Sequence, residues 1–156
     1  MSKGAVISDC GLYRYSLWRE WAAGDSVAFI GLNPSTADAT LDDPTIRRCI
    51  AFAKSWGFGR LVMVNLFAFR ATDPKEMMRA DDPVGPDNDA ALLRECAQAR
   101  VTVAAWGAGG THLGRDRVVR RMLAPMHYLR LTKQGHPGHP LYLPGSLTPQ
   151  PWDKGR

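Results

Sequence analysis

The sequence predicts an α/β protein: a three-layer α/β/α sandwich around a central, mainly parallel four-stranded sheet, with an N-terminal strand or hairpin in front of it. Three observations carry that prediction. Short apolar runs recur at Val27–Ile30, Leu61–Val64, Val101–Ala105 and Tyr128–Leu131, and runs of this kind read as strands buried on both faces. Segments with helical spacing stand between them, the alternation that crossover connections in a parallel sheet produce. Each run also ends in an unusual polar or glycine-rich segment: Gly31-Leu32-Asn33-Pro34-Ser35-Thr36, Asn65, Trp106-Gly107, and Lys133 to Tyr142. Ligands of open α/β sheets bind at the carboxyl ends of strands, so the four ends are expected to converge on one crevice.

In chain order, Tyr13, Tyr15 and Leu17 alternate at period two and predict a strand leading into the core. Trp18 and Trp21 beside it are read as packing residues. After the first buried strand, Asp43-Pro44 supplies a helix N-cap followed by a first-turn proline, and Ile46, Cys49, Ile50 and Ala53 share one helical face. Gly57 ends that helix. The strand near 60–65 leads to a loop with Phe67, Phe69, Arg70 and Thr72, then to a short helix opening at Asp73-Pro74. A further helix fits 87–99, and Val101 begins the third strand. Gly107-Ala108-Gly109-Gly110 separates it from a helix carrying Val118, Val119, Met122 and Leu123, and a fourth strand runs through Leu131.

The 156 residues fit a single domain over 1–148, with an aperiodic tail over 149–156 expected to be irregular. An apolar fraction of 45% and a charged fraction of 22% are those of an ordinary globular protein, and no apolar run is long enough to span a membrane. Met1 to Gly4 leads into no signal-peptide core, so a cytoplasmic protein is expected. Cys10, Cys49 and Cys96 are odd in number and widely spaced, which suits buried thiols in a reducing compartment and neither a disulfide framework nor a zinc site. Composition sets no oligomeric state. The net charge of +5, carried mostly by arginine, permits nucleic acid as a partner. Arg115, Arg117, Arg120, Arg121, Arg130 and Lys133 form the densest basic stretch, which fits a phosphate-tracking face and a solvated surface equally well.

Several chemistries are disfavoured. The glycines at 107–110 lack the lysine of a nucleoside-triphosphate loop and the early position and following acid of a dinucleotide fold. His136 and His139 are separated by Pro137-Gly138, which prevents a helix from presenting both imidazoles to one metal. No metal or cofactor is therefore expected. No Gly-x-Ser-x-Gly elbow is present and no cysteine lies beside an obvious base, so covalent catalysis has no candidate. What remains is a polar site of amides, imidazoles and carboxylates. Asn33 and Asn65 are each expected at a strand end, where an amide offers both a donor and an acceptor to a nucleobase edge, or alternatively braces its own turn. His139 is a candidate donor to developing negative charge.

Those four segments, in that order, resemble the strand ends of the uracil-DNA glycosylase superfamily. Gly31-Leu32-Asn33-Pro34 resembles its water-positioning motif, in the Gly-Ile-Asn-Pro form of the mismatch-specific branch. Val64-Asn65-Leu66 resembles the end that supplies an asparagine to the uracil edge, Ala105-Trp106-Gly107 the third-strand ending, and His136-Pro137-Gly138-His139-Pro140-Leu141 the His-Pro-Ser-Pro-Leu loop. Over nearly the whole chain, Gly-Leu-Asn-Pro-Ser-Thr-Ala-Asp, Asp-Asp-Pro-Thr-Ile-Arg-Arg-Cys, Val-Asn-Leu-Phe-Ala-Phe-Arg-Ala-Thr and His-Pro-Leu-Tyr-Leu look like a bacterial and phage family known only as domain of unknown function 1643. The last loop has one extra residue, so either His136 or His139 corresponds to the superfamily histidine. The superfamily's stacking aromatic has no counterpart after the first motif; Phe67 or Phe69 is a candidate substitute, with core packing the better explanation for one of them.

The glycosylase resemblance implies a uracil-DNA glycosylase-like fold and hydrolysis of a base-sugar N-glycosidic bond in DNA, removing a damaged or modified base. It implies that Asn65 reads the extruded base, with Phe67, Trp106, His136 and Leu141 around it. Asn33 would hold the attacking water, and His139 or His136 would stabilise the leaving base. Proton removal falls to Asp38, Asp42 or Asp43, or follows a bond already dissociated; Asp38 is the candidate carried forward, since Asp43 is better explained as a helix cap. Arg47, Arg48 and Lys133 are candidates for phosphate, and Leu141 for the gap that an extruded base leaves. Two alternatives stand beside this reading: hydrolysis of free nucleosides or nucleotides, and non-catalytic binding of a nucleic acid or nucleotide.

Overall fold

The computed structural model describes residues 2–123 and 125–152. It is a mixed α/β structure with one seven-stranded sheet in the order β1-β2-β4-β3-β5-β6-β7. The strands are β1 (Ser2–Ile7), β2 (Arg14–Glu20), β3 (Ser26–Gly31), β4 (Arg60–Asn65), β5 (Val101–Ala104), β6 (Met126–Tyr128) and β7 (Gln150–Trp152), and the helices are α1 (Pro44–Ser55), α2 (Pro74–Arg79), α3 (Asn88–Gln98) and α4 (Arg115–Met122). Four of the strands, β4-β3-β5-β6, pair in parallel. Antiparallel strands flank them: the β1-β2 hairpin joins β4 on one side, and β7 joins β6 on the other. The expected four-stranded sheet is thus widened to seven. The tail expected to be irregular contributes an edge strand at Gln150–Trp152, while residues 153–156 lie outside the described residues. No helix among the described residues is long and apolar enough to cross a membrane.

Alternation along each central strand explains why its apolar run is unbroken. Val27 and Phe29 of β3, with Leu61 and Met63 of β4, pack toward Ile46, Cys49, Phe52 and Ala53 of α1. The intervening Ala28, Ile30, Val62 and Val64 pack with Met77, Leu92 and Val119 from α2, α3 and α4. Both faces are covered, so both sets must be apolar, and full burial of a side chain such as Phe29 or Ile30 contributes about 1.5–3 kcal/mol. Asp43 caps α1 by accepting the Ile46 amide at 2.9 Å, with Pro44 in the first turn. Asp73 and Pro74 do the same for α2, where the carboxylate accepts the Lys75 amide.

Three expectations shift. The strand read through Leu131 ends at Tyr128, and Leu131 instead bridges to Pro137, folding the histidine segment back on itself. The turn after β5 is an irregular 3-10 stretch over Ala108–Gly114 that precedes α4. The basic stretch is not one surface: Arg115 is buried, donating to the Leu66 carbonyl at 2.9 Å and to Asp89 at 2.6 Å, and the Arg120 guanidinium lies over the Trp152 ring at 3.6 Å.

Candidate functional site

The ends of β3, β4 and β5 and the histidine segment meet at a cavity of about 280 Å³ on the carboxyl side of the parallel strands. Asn33, Asn65, Trp106 and His139 all line it. Backbone bonds between neighbouring loops set their positions. Leu66 and Phe67 donate amides to the Gly31 and Leu32 carbonyls, Ala71 donates to Pro34, and Gly107 donates to Pro137 at 2.8 Å. Gly107, at the rim, has φ +70°, a conformation glycine adopts without penalty.

Asn65 is the last residue of β4 and pairs in register with Gly31. A Cβ on residue 31 would sit 2.7 Å from Asn65 Oδ1, so glycine is what lets this amide lie across the neighbouring strand end. Asn65 is only 2% exposed, and its Nδ2 has no hydrogen-bond partner among the described residues. A buried donor left unsatisfied is costly, and in a cavity wall it has room to meet a ligand or a water. Behind it, the fully buried Asn88 donates to both the Asn65 and Leu66 carbonyls at 3.0 Å and fixes the strand end.

Asn33 braces its loop as well as lining the cavity. Its Nδ2 donates to the Ala71 carbonyl at 2.9 Å and to the Pro34 carbonyl at 3.1 Å. Both bonds use the amide nitrogen, so Oδ1 is the atom with acceptor capacity left.

His139 caps the short 3-10 helix Pro140–Tyr142, its Nδ1 accepting the Leu141 amide at 3.2 Å. An acceptor Nδ1 places the proton of the neutral ring on Nε2. Burial pushes the His139 pKa down, and the charge of Asp43 opposes that shift. The segment is held from α1, where Arg48 donates from Nε to the Pro140 carbonyl at 3.4 Å and from Nη2 to the Leu143 carbonyl.

Other expected residues lie elsewhere. His136 is outside the cavity lining; its amide donates to Thr132 Oγ1. Of the two histidines, His139 is the one at the cavity. Phe67 is fully buried in the core against His112, and Phe69 packs edge-on to Tyr13, so neither offers a ring to the cavity; Trp106 is the aromatic there, 2% exposed and packed on Trp152. Asp38 does not line the cavity. Its carboxylate accepts the Leu41 and Thr40 amides, which hold its pKa below the usual value, in a turn outside the site. Asp42 is paired with Arg19 at 2.7 Å. Asp43 is therefore the one of the three acids that lines the cavity, with Oδ2 3.4 Å from the Ala37 amide. Arg48 is spent on carbonyls, whereas Arg47, Lys133 and Leu141 are exposed and outside the lining.

Sequence reasoning missed Arg14. It lines the cavity at 2% exposure, and its pKa is pushed down to about 10 by burial, with Asp43 opposing. The only signal available was an arginine at the start of a strand otherwise read as core.

The family model described as "Protein of unknown function (DUF1643)" matches residues 14–141, which takes in every cavity-lining residue. The chain belongs to that family. No curated protein and no solved structure matches it. Within this DUF1643 chain the matched span begins at Arg14 and ends at Leu141, just past the histidine that closes the cavity.

Proposed function

We propose that this DUF1643 protein is a nucleobase-recognising hydrolase of N-glycosidic bonds, with a uracil-DNA glycosylase-like arrangement of strand ends and DNA as its substrate. The observation that carries the proposal is the meeting of Asn33, Asn65 and His139 at one cavity, with Asn65 Nδ2 buried and unpartnered. That donor, beside the carbonyl oxygen of the same amide, suits the edge of a planar base.

In this reading the target nucleotide is extruded, which costs a few kcal/mol of unstacking and favours damaged or unpaired bases. As the bond to the sugar breaks, negative charge grows on the base and positive charge on the sugar. His139, neutral and protonated on Nε2, donates to the base, so no proton need be lost or gained first. Asn33 Oδ1 holds the water. Asp43 takes the role first assigned to Asp38, because it is the acid at the cavity: its negative charge favours the sugar cation and it can accept the proton of the water. Arg47 and Lys133, both exposed, are the candidates for backbone phosphate.

The test is release of an abasic site from oligonucleotides carrying modified bases, lost in Asn65→Ala and His139→Ala. A second reading, a hydrolase of free nucleotides, is favoured by the buried guanidinium of Arg14 in the cavity lining, a partner for a phosphate carried by the nucleotide itself. Base release from free nucleotides with no abasic product on DNA would select it.

A further inference from the structure

Arg14 differs from the other buried arginines in what its guanidinium does. Arg19, 5% exposed, spends its nitrogens on four carbonyls, those of Gly4, Trp18, Asp38 and Leu41, and on the carboxylate of Asp42. Arg115 is held by the Leu66 carbonyl and the Asp89 carboxylate. Among the described residues, Arg14 makes one side-chain hydrogen bond, from Nη1 to the Ala37 carbonyl at 3.0 Å, and its Nε is buried without a partner. Among the described residues it forms no ion pair; the nearby acid, Asp43, accepts the Ile46 and Ala37 amides and acts on Arg14 through its charge alone. A buried guanidinium with no direct ion-pair partner and an unpaired Nε is unfavourable, and an arginine fork matches an oxyanion with two parallel N–H bonds.

We infer that Arg14 is the anion-recognition residue of the cavity and receives a phosphate or carboxylate group carried by the ligand whose ring edge meets Asn65. The ring half of this statement rests on the proposed function; the anion half rests on Arg14 alone. The ligand class is then an anionic one: a nucleoside monophosphate, or a base bearing a carboxylate substituent. A purely structural arginine, holding only the Ala37 carbonyl, would not distinguish a charged ligand from its neutral counterpart.

Isothermal titration calorimetry on the full chain tests this without turnover, using pairs that differ in the anionic group. Pseudouridine and its 5′-monophosphate, whose carbon-carbon glycosidic bond does not hydrolyse, form one pair; uracil and 5-carboxyuracil form the other. One anionic member is expected to bind about tenfold or more tightly than its neutral partner, the order of a charge-assisted hydrogen bond, and which pair shows the gain identifies the source of the oxyanion. Arg14→Gln should erase that gain while changing affinity for the neutral member less than about twofold. Equal affinity within both pairs, no binding by any anionic member, or a gain that survives in Arg14→Gln overturns the inference. If Arg14→Gln does not fold, the wild-type pairs decide alone. Failure to release bases from DNA or from free nucleotides would remove the hydrolase reading and leave this result standing, so the two can fail separately.

Discussion

Asn88 Nδ2 donates to the carbonyl of Asn65 at 3.0 Å, so a residue at the start of α3 that never reaches the cavity sets the end of the strand that does. The same amide holds Leu66 at 3.0 Å, and Arg115 reinforces it from α4 at 2.9 Å. Asn88→Ala removes both bonds from a fully buried site, and the Asn65 carbonyl loses its partner. A loss of about 2–3 kcal/mol in unfolding free energy is expected, read by urea denaturation. A change within about 0.5 kcal/mol would show that the strand end is held in another way.

Asn65 predicts the opposite signature. Its Nδ2 is buried without a partner, so Asn65→Ala relieves an unsatisfied donor and should change stability by no more than about 1 kcal/mol. Ligand binding should fall while the melting temperature holds. A large loss of stability would mean that the amide is structural.

Gly31→Ala tests the close approach from the other strand. The new methyl would meet Asn65 Oδ1 at 2.7 Å and Met63 Cε at 2.8 Å. The methionine end can swing aside, but the amide must move, so binding should weaken together with a stability loss of about 1–3 kcal/mol. Wild-type affinity in this variant would show that Asn65 does not read the ligand from its observed position.

His139 should titrate below an ordinary histidine, because burial disfavours its charged form and only partly loses to Asp43. The unfolded chain then holds more protons than the folded one between the folded pKa and the ordinary value near 6.5. Stability contributed by this residue is full above about pH 6.5 and falls as pH drops through the folded pKa. Proton NMR of the ring across that range checks the direction. A His139 pKa above 6.5 would contradict the dominance of burial over the charge of Asp43.

The three thiols should separate cleanly toward an alkylating reagent. Cys10 is exposed, and the Ser8 hydroxyl and the Leu12 amide lower its pKa, whereas burial raises that of Cys96 to about 11 and pushes Cys49 higher still. Mass spectrometry of the native protein should find Cys10 modified first. Early loss of Cys49 would contradict its burial on the inner face of α1.

The legible parts were those governed by local rules. Asp43-Pro44 and Asp73-Pro74 announce their helices, and the two-sided apolar runs announce β3 and β4. The edge strands were harder because their pairing is set far away: β1 packs by letting the Trp18 ring lie where a Cβ on Gly4 would be, 2.3 Å off, and β7 forms against β6 in a segment without periodicity. The cavity amides followed from their places at or just after strand ends, whereas the choice between His136 and His139 needed the fold of the segment after β6. Asp38 and Arg14 did not, because the path of the 33–43 loop depends on Arg19 and Arg14 reaching across it from β2 to the carbonyls of Ala37, Asp38 and Leu41, contacts between residues about twenty apart that no local pattern encodes.

The most direct measurement is a panel of oligonucleotides bearing uracil, mismatched thymine, hypoxanthine, and hydroxymethylated or glucosylated pyrimidines, incubated with protein, cleaved with alkali and resolved by length. Scission at one class of base, abolished in Asn65→Ala and His139→Ala, is the expected result. Intact oligonucleotides across the whole panel would contradict base excision from DNA.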